Sequence, residues 1–215
     1  MDKIDLIFPN DNEEELLEAA AGLGYSGICF CYGYDANLIK KNLPARLKNI
    51  KEHESEKIKI YSALLVEEKS LQKLNKKEFD FVILKANKNL QNTLTRFSRK
   101  IDFVYGSEFI SGNDSLHSRK SGVNHVVCNL MKENNISMVV SLKDLICSMH
   151  LDPKKFAQLL GRISQNIILA RKYKLNLKFV SFAEDKYGMR SRHDMIALLI
   201  VLGMHPKEAK DALSL

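Results

Sequence analysis

The sequence predicts an α/β protein, a TIM-like (β/α) barrel of about seven mostly parallel strands with surrounding helices. Short apolar runs rich in β-branched and aromatic residues recur along the chain. Longer stretches with helical periodicity separate them, which is the alternation that βαβ units produce. Several runs, such as FVIL at 81–84 and FVSF at 179–182, are nearly continuous, as suits strands covered on both faces. At 215 residues the chain sits near the lower end for such a barrel, roughly 200 residues upward. No internal repeat, low-complexity tract or linker divides it, so it reads as one domain over residues 1–215.

The strands are expected at Lys3 to Phe8, Gly27 to Tyr32, Ile58 to Val66, Phe79 to Lys85, Asp102 to Tyr105, Ser137 to Ser141 and Leu177 to Phe182. That is one fewer than the standard barrel has. Asn12 or Asp11 can cap a first helix whose Glu13, Glu14 and Glu15 fall where the helix dipole favours negative charge. Leu16, Leu17, Ala20 and Leu23 then face the sheet, and Gly24 suits the end. The least regular segment, Gly106 to Lys120, holds Gly112, Asn113, Asp114, Ser115, Ser118, Arg119 and Lys120; following the fifth strand, it belongs at the C-terminal face of the barrel. A helix begins near Gly122. Asp152 before Pro153 is an N-cap followed by Pro at the first helical position. In the helix it opens, Phe156, Leu159, Leu160, Ile163 and Ile167 form the apolar face, and Lys155, Arg162 and Lys172 the other. Met195 to Leu202 is apolar all round, which predicts a deeply buried helix ending at Gly203. A last short helix starts near Pro206 and carries Ala209, Ala212 and Leu213.

Charge is distributed unevenly. Met1 to Tyr25 carries seven acids against Lys3 alone, a net −6, so the rest of the chain carries 32 basic and 19 acidic groups, a net +13. An anionic partner is implied, with the basic surface beyond the first helix. Lysines and glutamates that merely solvate helix faces are the competing explanation. Cys29, Cys31, Cys128 and Cys147 form neither a dense disulfide framework nor paired C-x-x-C zinc spacing. The N-terminus is acidic where a signal peptide is basic, and no apolar stretch reaches the roughly 18 residues of a membrane span. A cytoplasmic protein without membrane attachment is expected.

Metal chemistry is the first catalytic candidate. Barrel phosphoesterases of the polymerase-and-histidinol-phosphatase type place His and carboxylate ligands after the first strand; here that position reads Phe8, Pro9, Asn10, Asp11. His53, His117, His125, His150, His193 and His205 are scattered singly, without H-x-H, H-x-x-x-H or H-E-x-x-H spacing. His125 and Cys128, one helical turn apart, could be ligands or a helix flank near the core. Cys29 and Cys31 share one face of a strand and read as small core residues. Gly22, Gly24 and Gly27 follow a helix rather than a strand, the wrong context for a dinucleotide fingerprint.

The basic clusters carry more. Arg119 and Lys120, and Arg190, Ser191, Arg192 and His193, each precede a helix after a strand, which predicts two phosphate-binding helix N-termini on one face. Arg190 and Arg192 could instead pair with Glu184, Asp185 or Asp194. Lys85, Lys88, Arg96, Arg99 and Lys100 form a second set on the fourth strand and the helix after it. Few aromatics interleave with them, which favours backbone and shape recognition over base stacking.

GVNHVVCNLMKENN, Gly122 to Asn135, and RSRHDMIALLIVLGMHPKEAKDAL, Arg190 to Leu213, closely resemble the archaeal ribonuclease P protein component 3 family, counterpart of the thirty-kilodalton subunit of the human enzyme. LGYSGICF, Leu23 to Phe30, resembles the family's early pattern, and with the strand order the likeness covers essentially the whole chain. The resemblance implies a distorted barrel. It also implies a subunit of the ribonucleoprotein that removes the 5′ leader of precursor tRNA, in which the catalytic RNA subunit positions the magnesium ions. This chain would bind no cofactor or metal and would stabilise that RNA with component 2 in a two-plus-two assembly. Arg190, Arg192 and His193 match the family's basic C-terminal motif; Arg119, Lys120, Asn124 and His125 match its loop-and-helix motif. The RNA-binding candidates are Lys85, Arg96, Arg99, Arg119, Lys120, Arg190, Arg192 and His193, with no catalytic residue in the chain. A metal-dependent phosphoesterase on the same barrel is the alternative function, and a protein-binding scaffold a third.

Overall fold

The seven apolar runs form seven parallel strands in sequence order: β1 Ile4–Ile7, β2 Gly27–Gly33, β3 Lys59–Val66, β4 Phe81–Lys85, β5 Phe103–Tyr105, β6 Ser137–Ser141 and β7 Leu177–Val180. This is a computed structural model, and it describes residues 3–34, 58–110, 112, 114 and 119–214. His53, His117, Asn113, Ser115 and Ser118, named above, lie outside them. The period-2 alternation divides each strand between two layers. Ile4, Leu6, Cys29, Cys31, Ala63, Ile83, Phe103, Val139, Val180 and Phe182 fill the barrel interior. Leu64, Val66, Val82, Leu84, Val104, Met138, Val140 and Phe179 form the outer layer under the helices.

Sequential register closes most of the cylinder, and the seam between β7 and β1 is irregular. Phe182 N donates to Leu6 O and Phe8 N to Ala183 O, each at 2.9 Å, while Phe182 takes φ +49°. Just before them along both strands, Ser181 N donates to the Asp5 carboxylate at 2.8 Å. A side chain thus supplies an acceptor that a regular ladder would draw from the backbone. The result is a distorted, nearly closed seven-stranded barrel.

The described helices are α1 Glu13–Gly22, α2 Glu68–Leu71, α3 Leu90–Phe97, α4 His125–Glu133, α5 Leu142–Leu151, α6 Pro153–Tyr173, α7 Arg192–Val201 and α8 Pro206–Ala212. Leu16 and Ala20 of α1 are buried beside Ile7, Ile28 and Phe30, and Leu17 and Leu23 pack at the edge, as expected. Asn12 precedes α1 without capping it: its side chain accepts from Asn10 N and donates to Glu184 O. Asp152 caps α6, accepting from Lys154 N at 2.9 Å and Lys155 N at 3.4 Å ahead of Pro153.

Two expectations are corrected. The apolar run Met195 to Leu202 is not deeply buried: Met195 and Leu199 face the core, whereas Ile200 is 43% and Val201 81% exposed. Composition predicted depth, but α7 covers the barrel with only one face. Arg162, expected on the solvated face of α6, is buried at 5% exposure. Buried residues of α6 fall at 159, 162, 163, 166, 167 and 170, so Arg162 and Asn166 occupy core-facing spacings.

Candidate nucleic-acid interface

The C-terminal mouth of the barrel is filled by aromatic rings. Phe8 lies 4.8 Å from Phe182, centroid to centroid, and Tyr105 meets Phe182 edge-on at 4.9 Å. Tyr105 donates its hydroxyl to Asp144 at 2.5 Å, and Lys143 pairs with Glu184 at 2.5 Å. Burial pushes the neighbouring Glu108 carboxyl up to about 7, with Asp144 adding to the shift and Arg162 opposing it. Among the described residues no group of three or more His, Cys, Asp or Glu side chains could hold a metal ion. Cys29 and Cys31 are buried inside the barrel, the core placement their spacing predicted. His125 is exposed and Cys128 buried, so these two do not present a shared ligand face.

The segment after β5 is bolted to α6. Arg162 donates through Nε to Asp114 at 2.9 Å, through Nη1 to Glu108 O at 2.8 Å and through Nη2 to Gly112 O at 2.6 Å. Arg119 donates to Gly161 O at 2.9 Å and lies flat over that glycine, where a Cβ would meet its Nη1 at 2.7 Å. Gly122 takes φ +79° and passes so close to Ser107 that a Cβ would lie 1.8 Å from its carbonyl oxygen. That close turn delays the following helix to His125, with Asn124 as cap, so Arg119 and Lys120 do not stand at its N-terminus. Lys120 is exposed, and its backbone N–H donates to Asp114 at 2.9 Å.

The second cluster lies elsewhere. Tyr25, in the turn entering β2, donates its hydroxyl to Arg190 O at 2.9 Å. Arg190 bonds the carbonyls of Tyr187 and Met189, and Arg192 donates to Lys210 O at 2.8 Å beside Ser214, which bridges to Lys3 ahead of β1. Neither arginine pairs with Glu184, Asp185 or Asp194. Ser191 caps α7 by accepting from Asp194 N at 3.2 Å, and Asp194 occupies the first turn, where its charge opposes an incoming phosphate. Arg190 and His193 remain exposed.

The remaining candidates are Lys85, exposed at the C-terminal end of β4, and Arg96 and Arg99, exposed where α3 runs into the turn before β5. Lys100 folds inward, its ammonium donating to Leu71 O at 2.9 Å and Leu74 O at 3.1 Å. The expected convergence at one rim is therefore corrected. Arg119 and Lys120 lie against the middle of α6, Arg190 and Arg192 lie toward the N-terminal ends of β1 and β2, and Arg96 and Arg99 lie beside the start of β5. Arg162, read from the sequence as a solvated side chain, instead holds the Asp114 carboxylate and the Glu108 and Gly112 carbonyls.

Residues 4–215 match the family model described as RNase P subunit p30. Ribonuclease P protein component 3 of Methanosarcina mazei is 25% identical over 207 residues, covering 94% of this chain and 79% of that protein. The protein of the same description from Methanothermobacter thermautotrophicus is 25% identical over 213 residues, covering 95% and 81%. A chain from the cryo-EM structure of archaeal ribonuclease P with mature tRNA shares this fold, with TM-score 0.75 over 98% of this chain and 86% of that one at 22% identity. With the family model spanning the barrel from its first strand to its last helix, the chain belongs to the RNase P subunit p30 family.

Proposed function

We propose that this chain is a protein subunit of archaeal-type ribonuclease P, the ribonucleoprotein that removes the 5′ leader of precursor tRNA. Its part is to bind and stabilise the catalytic RNA, beside component 2 in a two-plus-two assembly, while the RNA subunit holds the magnesium ions and carries the chemistry. The family match over residues 4–215 carries this reading. The net +13 beyond Tyr25 supports it, because neutralising crowded phosphates lowers the magnesium needed to hold a folded RNA. The Phe8, Phe182 and Tyr105 rings support a non-catalytic role, since they occupy the mouth where enzymes on this fold keep their sites.

Reconstituted precursor tRNA cleavage tests the proposal, with the RNA subunit and component 2 present and this chain added or withheld. Added chain is expected to lower the magnesium needed for cleavage. Arg190→Ala should weaken RNA binding across sequences without unfolding the protein, because Arg190 is exposed and bonds only nearby carbonyls. Unaltered cleavage on adding the chain would refute the assignment. Phosphoesterase activity of the chain alone, with stoichiometric bound metal, would favour the enzyme reading.

A further inference from the structure

We infer that the groove between the C-terminal ends of α3 and α4 is a binding site for an RNA phosphate backbone, with Arg96 and Arg99 as its two charge-neutralising ligands. The inference rests on the RNA-binding reading above and adds a location to it, apart from the barrel mouth. The groove, half-open to solvent, has a volume of about 600 Å³ and is lined chiefly by Arg96, Phe97, Ser98, Arg99, Lys100 and Asn134. A half-open groove of that size admits a phosphodiester from solvent.

Among the described residues its charge has no acidic partner. From Lys85 to Ile101 the chain carries five basic residues and no acid. Neither Arg96 nor Arg99 forms an ion pair with a described residue. Asp102, the next acid along the chain, is held by Lys76 at 2.6 Å, and Glu133 on α4 does not line the groove. Lys100 also lines the groove, but its ammonium is turned onto the carbonyls of Leu71 and Leu74, which leaves Arg96 and Arg99 as the exposed charges there among the described residues. Two helix C-termini face the same space, each worth about half a negative charge. Two full guanidinium charges exceed that sum, so the groove stays electropositive.

The lining also favours backbone over base. The Arg96 guanidinium lies over the Phe97 ring, 5.2 Å from its centroid, so the groove's aromatic face is already taken and the guanidinium is partly ordered before a ligand arrives. Ser98 can bond phosphate or 2′-hydroxyl oxygens, and Asn134, whose amide nitrogen already donates to Leu130 O at 2.8 Å, can accept from a 2′-hydroxyl; such contacts fix register without reading sequence.

The test measures binding of the full chain to the catalytic RNA subunit across a salt series. Replacing two phosphate ligands, Arg96→Ala with Arg99→Ala, should weaken binding about tenfold and reduce the log–log salt slope by about 1.4 to 1.8. The Arg96→Lys with Arg99→Lys protein should keep the slope, and Lys154→Ala with Lys155→Ala, an equal loss of exposed charge on α6, should bind as the unaltered chain does. Added inorganic phosphate should compete no better than chloride at matched ionic strength. If the unaltered chain shows no salt-sensitive binding, the RNA reading itself fails. If it binds but the alanine pair keeps its slope and affinity, the control pair loses as much, the lysine pair loses the slope, or inorganic phosphate displaces the RNA specifically, the groove assignment is overturned. It is equally overturned if the alanine pair instead loses association with an acidic protein subunit while RNA binding stands.

Discussion

Asp5 on β1 accepts the backbone N–H of Ser181 at 2.8 Å across the seam where the barrel closes on itself. Its other oxygen has no hydrogen-bond partner among the described residues, and the side chain is buried. Burial pushes the Asp5 carboxyl up to about 6 against the Ser181 bonds that lower it. A folded-state value above the ordinary 3.8 means that the native chain binds the proton more tightly than the unfolded chain. The Asp5 contribution is therefore most favourable below about pH 4 and worsens as pH rises to about 6. Glu108, pushed up to about 7 chiefly by burial, acts in the same direction and extends the window upward.

Asp5→Asn keeps an oxygen acceptor for Ser181 and removes the charge. Relative to the unaltered chain it should gain up to about 3 kcal/mol at pH 7 and nothing at pH 4. Urea unfolding at a series of pH values reads the difference. A constant offset from pH 4 to 7 would mean that Asp5 does not titrate across this window.

Arg162 ties three separate points of the segment after β5 to α6, at sequence separations of 48, 54 and 50 residues. Arg162→Met retains much of the aliphatic volume and strands Glu108 O and Gly112 O without their donor. A loss of about 3 kcal/mol is expected, with faster tryptic cleavage at Arg119 and Lys120. Denaturation and limited proteolysis together check this. Destabilisation without new cleavage in that segment would count against the tie.

Two glycines should respond unequally to the same methyl group. At Gly122 an added Cβ meets backbone 1.8 Å away at φ +79°, so Gly122→Ala should cost more than about 2 kcal/mol. At Gly161 the obstruction is the flexible end of Arg119, and alanine gains about 1 kcal/mol of helix propensity, so Gly161→Ala should change stability little while displacing Arg119. Thermal melts of both variants decide it.

On α7, Leu199→Ala should cost about 3 kcal/mol through the cavity it leaves, since Leu199 is fully buried. Val201→Ser, at a position 81% exposed, should fall within about 0.5 kcal/mol of the original. Chemical denaturation of the pair compares them. An equal loss in both would restore the buried placement that composition alone had suggested.

The strands were legible because their signal is local. β-branched and aromatic runs such as Phe81 to Leu84 carry their pattern within a few residues, and both layers of the barrel follow from it. The Asp152–Pro153 start of α6 and the paired inward thiols of Cys29 and Cys31 were readable for the same reason. The candidate site was half legible: the sequence identified which side chains carry positive charge, but not where each would stand.

What the chain determined by itself is therefore the alternation of strand and helix, the number of strands, and the excess of positive charge beyond the first helix. Tertiary structure alone decided that Arg162 is a buried tie, that Lys100 turns inward, that α7 bares Val201, and that the basic groups spread over several sites rather than one rim. The physical reason is range. Periodicity is fixed by neighbours within one or two turns, whereas the fate of a charge depends on carbonyls and acids dozens of residues away that folding brings within 3 Å of it.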